Sequence, residues 1–172
     1  MQGKRGSIVA IEPSTGEILA FISSPAYDPN LLVGRDKGKN YRMLLTDTLN
    51  KPLINRPLSA MYPPGSTFKA LMGLVAVHEG AMELSSGYGC GGAYVLGGLR
   101  VGCHPHPAIS DLNTAMQYSC NAYFCHAFRK TVEHSKFSGP NEGLGVWAKH
   151  IESFGYGHQT GIDLPGEKKG YV

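Results

Sequence analysis

The stretch M-Y-P-P-G-S-T-F-K, Met61 to Lys69, sets a hydroxyl, Ser66, three residues before an amine, Lys69. It runs directly into the apolar segment A-L-M-G-L-V-A-V, Ala70 to Val77. Pro63, Pro64 and Gly65 break any helix arriving from upstream, so the sequence predicts that one begins at Ser66. Phe68, Leu71, Met72, Val75 and Ala76 recur every three or four residues and carry it to about Glu79, where Gly80 ends it. Three residues of α-helix rotate the chain by about 300°, which puts Ser66 and Lys69 on one face. A hydroxyl in the first turn lies among N–H groups with no helical partner, and those groups and the helix dipole favour negative charge there. Burial and nearby positive potential lower a lysine's pKa, and the neutral amine can then take a proton from the hydroxyl beside it. S-x-x-K in this setting reads as an activated nucleophile. The same spacing also arises from a serine cap followed by a solvated lysine, and taken by itself it arises that way more often.

A second stretch, Y-S-C-N-A-Y-F, Tyr118 to Phe124, sits between two helical segments. The first is capped by Asp111 and has Leu112, Ala115 and Met116 on one face; the second runs from about Ala122 to Glu133. In a tight turn Ser119 and Asn121 can both face a cleft. The serine there could relay a proton to a leaving amine, and the amide could hold a substrate carbonyl. Alone, S-x-N is usually a helix-capping turn. Joined to S-x-x-K, it makes two of the three motifs that mark serine β-lactamases and penicillin-binding proteins.

The chain resembles the transpeptidase domain of class B penicillin-binding proteins, most of all the penicillin-binding protein 2 group. The resemblance is carried by I-E-P-S-T-G-E-I-L-A-F-I-S-S-P-A-Y-D-P-N, L-I-N-R-P-L-S-A-M-Y-P-P-G-S-T-F-K, S-C-N-A-Y-F and F-G-Y-G-H-Q-T-G-I-D-L-P-G-E. These fall in the family's order and span nearly the whole chain. The resemblance implies an α+β fold with helices packed on an antiparallel sheet. It also implies a peptidoglycan D,D-transpeptidase that cross-links stem peptides through an acyl-serine and is trapped by β-lactams. Position by position, Ser66 is the nucleophile, Lys69 the base, Ser119 the proton shuttle and Asn121 the substrate contact. The family setting implies a periplasmic enzyme, anchored in the inner membrane, that works with a glycosyltransferase.

The family's third motif, K-[ST]-G on a core strand, has no match. Lys168-Lys169-Gly170 comes too soon after P-G-E and lacks the hydroxyl residue, so it reads as loop. Residues 1–172 are therefore expected to be a partial transpeptidase domain with an incomplete sheet, without the third motif, the membrane anchor or the pedestal. Two other readings stay open. One is a β-lactamase or β-lactam sensor of the same fold; Glu142 is its candidate for activating the deacylating water. The other is a zinc-stabilised fragment without chemistry.

The segment C-G-G-A-Y-V-L-G-G-L-R-V-G-C-H-P-H-P holds Cys90, Cys103, His104 and His106, and Cys120 lies within the S-x-N triplet. A hairpin with Cys90 and Cys103 at its ends, completed by His106 and Cys120, would offer the Cys₃His set that structural zinc takes. The resemblance favours these four, since some penicillin-binding protein 2 members carry zinc in a comparable place. His104 replaces His106 if the turn faces the other way. A Cys90–Cys103 disulfide and plain buried thiols are the alternatives. Cys125, five residues beyond Cys120, faces elsewhere and reads as core, with His126 at the surface.

Composition narrows the rest. The 172 residues are 42% hydrophobic, enough for a core, and a net charge of +3 with scattered basic residues leaves no nucleic-acid stripe. No run reaches the roughly 18 to 20 apolar residues of a membrane span. No signal peptide is read in Met1 to Gly6, so the chain as given is expected to be soluble. Ser7 to Ile11 and the run after Glu17 predict a hairpin with Gly16 in its turn. A short helix is expected near Tyr41–Leu45, short strands at A-Y-V-L and L-R-V, and a helix over Leu144–Phe154 with Leu144, Trp147, Ile151 and Phe154 facing the core. His78, His134, His150 and His158 each stand alone in the sequence and read as surface or satisfied polar residues rather than catalysts.

Overall fold

The structure, a computed structural model, describes residues 4–172, and these fold as two compact units. The reading of Met1, Gln2 and Gly3 as free of a signal peptide lies outside the described residues. Among the described residues no helix is long and apolar enough to cross a membrane.

The first unit comprises the chain up to Tyr62 together with Gln159–Gly170. Its sheet is the predicted hairpin, β1 (Gly6–Ile11) against β2 (Ile18–Ser24), antiparallel, with Val9 opposite Phe21 and a register shift at Ala10/Ile11. Gly16 takes φ +77° in the turn, a backbone state that glycine reaches without strain. Ile8, Val9, Ile11, Ile18, Leu19 and Ile22 stay exposed, so this two-stranded sheet is the incomplete sheet that the sequence implied. Helix α1 (Lys37–Thr46) is longer than its sequence signal, because only Leu44 of it is buried and most of its length has no apolar periodicity. The single turn α2 (Arg56–Ser59) buries Arg56 and Leu58. The tail is loop: the Glu167 carboxylate accepts from Thr160 N–H (2.7 Å) and Oγ1 (2.6 Å), and Lys168 N–H donates to the Leu58 carbonyl (2.8 Å). Residues 168–170 carry no strand, as the missing hydroxyl residue led us to expect.

The second unit, Pro63–His158 with Tyr171 and Val172, carries the site. Gly65, at φ +64°, opens a 3₁₀ turn (Gly65–Phe68) that leads into α3 (Lys69–His78). The helix expected from Ser66 thus starts as 3₁₀, a frequent form of a helix's first turn, and becomes α only at Lys69. The hairpin β3 (Ala93–Leu96) and β4 (Leu99–Gly102) follows at the predicted strands. Helix α4 (Leu112–Gln117) opens with a capping box in which the Asp111 side chain accepts the Thr114 N–H. Helix α5 (Asn121–Val132) is the centre of this unit: α3, α6 and the β3–β4 hairpin all pack on it. Ala122, Tyr123, Phe124 and Ala127 of α5 join Ala76, Met82, Tyr94, Ile109, Ala115 and Cys120 in the core.

Helix α6 spans Pro140–Ser153, four residues earlier at its start than the apolar pattern suggested. Pro140 fits a first helical turn, and Gly143 and Gly145 hide the periodicity there. Ile151 is buried, but Leu144 and Phe154 are exposed, so only part of the predicted face is core. Trp147 is half-buried between the rings of Phe68 and Phe128.

Candidate active site

Ser66, Lys69, Ser119 and Asn121 lie together in the second unit. A cleft of about 370 Å³ is lined by Ser66, Lys69 and Asn121, with Met72, Val101, Phe124 and Cys125 among its walls. The 3₁₀ turn leaves the Ser66 side chain exposed at its mouth. One turn on, Lys69 is buried to 7% exposure.

The lysine is held by the S-x-N turn. Its Nζ donates to the Ser119 carbonyl (2.6 Å), Ser119 Oγ (2.9 Å) and Asn121 Oδ1 (2.5 Å). It makes no hydrogen bond to Ser66 among the described residues, so the direct Ser66–Lys69 pairing expected from one helical face is absent, and the three donors of an ammonium are all committed to the turn. Burial is the main influence on Lys69 and pulls its pKa below the usual lysine range, against the opposing effect of the nearby cysteines. The amine is thus closer to neutrality than a surface lysine, the state a base requires.

The turn itself is strained. Ser119 has φ +49°, in the left-handed region that disfavours residues other than glycine. Ser119 N–H donates to the Met116 carbonyl and Cys120 N–H to Ala115, which fixes this conformation between α4 and α5. Asn121 is anchored from the other side: its Nδ2 donates to the Gly102 carbonyl at the end of β4 (2.8 Å). Gly102 has no side chain to announce this role, so nothing in the residue pattern marks it.

Behind the turn, Cys90, Cys103, His106 and Cys120 each offer a ligand atom, all within 4.8 Å of one another. His106, not His104, is in the set. All four cysteines of the chain are free, so no Cys90–Cys103 disulfide forms. Cys103 Sγ lies 3.9 Å from Cys120 Sγ and accepts the Ala122 N–H (3.2 Å); Cys120 Sγ accepts the Tyr123 N–H (3.4 Å). Burial opposes a Cys103 thiolate, but hydrogen bonds from Ala122, His106, Cys90 and Cys120 outweigh it and hold its pKa below the usual thiol value. Burial pushes Cys120 up to about 12. Crowded sulfurs, one with its pKa held down, beside an imidazole, fit a tetrahedral cation site by donor chemistry. His106 Nδ1 is paired with the Pro107 carbonyl (2.7 Å), which leaves Nε2 as its ligand atom and supplies the outer hydrogen bond typical of metal-bound imidazoles.

Other expectations divide. Phe124 lines the cleft, Tyr123 is core, and Tyr118 stacks on His106. Cys125 is half-buried, packed against the core and forming part of the cleft wall, and His126 is half-buried against Tyr88 rather than at the surface. Glu142 accepts from Ser138 N–H (2.7 Å) and Oγ (2.6 Å) at the start of α6 and is not in the cleft wall, so it is not placed to activate a water at Ser66. His78 and His150 are not isolated: they come together with Glu79.

Residues 6–172 match the penicillin binding protein transpeptidase domain. The chain is 34% identical over 174 residues to the peptidoglycan D,D-transpeptidase MrdA of Acinetobacter baumannii, covering 99% of this chain and 24% of that protein. It therefore spans about a quarter of the length of that curated relative. Among solved structures it is similar to PBP2 of Pseudomonas aeruginosa, with TM-score 0.80, 32% identity and coverage of 99% of this chain and 37% of that one. It is also similar to the penicillin G acyl-enzyme complex of penicillin-binding protein A from M. tuberculosis, with TM-score 0.74, 28% identity, and coverage of 96% and 37%. The chain belongs to the penicillin-binding protein transpeptidase family, and it has that fold.

Proposed function

We propose that this chain carries the nucleophile-bearing part of a peptidoglycan D,D-transpeptidase. In this reading Ser66 Oγ attacks the carbonyl of the penultimate D-Ala of a stem peptide, and its proton passes to the amine of Lys69. The tetrahedral intermediate collapses, the C–N bond breaks, and the departing D-Ala amine takes a proton delivered through Ser119. Asn121 holds the backbone of the stem peptide. The amine of a neighbouring stem then attacks the Ser66 ester, so that one amide replaces another and the serine is regenerated. A β-lactam enters the same path, but its leaving group stays attached and the ester persists.

The observation that carries this reading is the bridging of Lys69 to both Ser119 and Asn121 in the cleft where Ser66 lies. A buried lysine of lowered pKa, tied to a second serine, can pass a proton between the attacking hydroxyl and the leaving amine. The named relatives support the substrate: one is a peptidoglycan D,D-transpeptidase, and another is described as a penicillin G acyl-enzyme. Periplasmic location, a membrane anchor in the full protein and a glycosyltransferase partner belong to the same reading.

Zinc at Cys90, Cys103, His106 and Cys120 belongs to it as well. The ion would supply a structural cross-link and no catalytic step. The residues around it reach the site directly, since Gly102 and Cys103, adjacent in the chain, accept from Asn121 Nδ2 and Ala122 N–H.

The test is exposure of the chain to benzylpenicillin, following both the protein's mass and the drug's hydrolysis. A transpeptidase gives a lasting adduct with little hydrolysis. Steady hydrolysis without a lasting adduct would indicate a β-lactamase instead.

A further inference from the structure

We propose that His78, Glu79 and His150 form a second divalent-metal site, of the kind that takes zinc or a similar first-row ion through two imidazoles and a carboxylate. Each contributes one ligand atom, and the three atoms lie within 4.8 Å of one another. His78 and Glu79 end α3, and His150 lies in the last turn of α6, so two helices supply the set. The His78 and His150 rings meet edge to face at 5.0 Å.

The arrangement has the support that metal sites need. The Glu79 side chain is only 9% exposed, and its Oε2 is held by Lys136 Nζ at 2.6 Å. Lys136 also donates to the Glu79 main-chain carbonyl (2.8 Å), which fixes the carboxylate's direction. Oε1 and His150 Nε2 lie 2.5 Å apart, a contact that an entering ion would take over by accepting both atoms as ligands. His78 is exposed, so the third ligand can swing onto an entering ion and solvent can complete its shell. Two imidazoles and one carboxylate with an open position match zinc and its neighbours better than calcium or magnesium, which prefer oxygen alone.

None of the three residues lines the Ser66 cleft, and none belongs to the cysteine cluster. A bound ion would therefore act as a staple between α3, the helix that begins at Lys69, and α6.

The test uses the untagged chain, stripped with chelator and titrated with cobalt(II), with native mass and absorption spectra recorded together. The expected result is two equivalents bound. One gives the thiolate-to-cobalt band of the cysteine cluster; the other adds none. His78→Gln and His150→Gln should each bind one equivalent fewer, weakening that site more than about tenfold with the thiolate band unchanged. Unaltered melting of the metal-free variants shows that they fold. Equal numbers of equivalents in the wild type and in His78→Gln would overturn the proposal. A chain without the thiolate band that still loses an equivalent in His78→Gln supports this site while removing zinc from the cysteine cluster.

Discussion

Lys69 Nζ lies 2.9 Å from Ser119 Oγ and 2.6 Å from the carbonyl of the same residue, so one turn holds the buried lysine of the cleft by two of its atoms. Ser119→Ala keeps the carbonyl contact and removes only the hydroxyl. We expect the variant to fold and its acylation by penicillin to slow by roughly 10²–10⁴-fold, the usual worth of a positioned proton-transfer group. Stopped-flow measurement with a chromogenic β-lactam checks it.

The φ of +49° at Ser119 carries a cost that glycine would not. Ser119→Gly should be more stable than Ser119→Ala by about 1 kcal/mol, although both lack the hydroxyl. Equal denaturation midpoints would contradict a strained turn.

Lys69 must be neutral to accept a proton, and burial lowers its pKa. The neutral fraction grows as pH rises, so acylation should accelerate with pH and level off above the lysine's folded pKa. That value lies below the usual lysine range, so the plateau comes earlier than for a surface lysine. A rate profile from neutral to alkaline pH tests the sign; a rate falling with pH would exclude Lys69 as base.

Asn121 links the Gly102 carbonyl to the lysine, which makes the β3–β4 hairpin part of the site. Chelation of a bound zinc, or Cys103→Ser, should loosen that hairpin. Both should lower the melting temperature and slow acylation, while Cys125→Ser, outside the ligand set, should leave chelator sensitivity unchanged. Thermal melting with and without chelator separates the two.

Much of this was legible in the sequence because it rests on local rules. The β1–β2 hairpin announces itself by a Gly16 turn between apolar runs, and α3 by its apolar spacing after two prolines and a glycine. The Cys₃His grouping followed from a hairpin with a cysteine at each end, helped by the resemblance. What was hidden depends on tertiary approach or on the main chain. The Gly102 carbonyl has no side chain to signal it. The left-handed Ser119 looks like any serine. His78 and His150 are far apart in sequence and meet because α3 and α6 pack on α5 and against each other. The start of α6 was obscured by its glycines, whose lack of side chains removes the periodicity that marks a helix. The turn of Lys69 toward Ser119 rather than Ser66 is likewise a tertiary choice: the S-x-N turn, distant in sequence, supplies all three of its acceptors.

Acylation at Ser66 is read from the intact mass of the chain after incubation with a fluorescent penicillin, with peptide mapping and Ser66→Ala as control. If Ser66 is the nucleophile, the chain takes one adduct, on the peptide containing Ser66, and the variant takes none. A folded chain that takes no adduct, or an adduct that survives in Ser66→Ala, would contradict it.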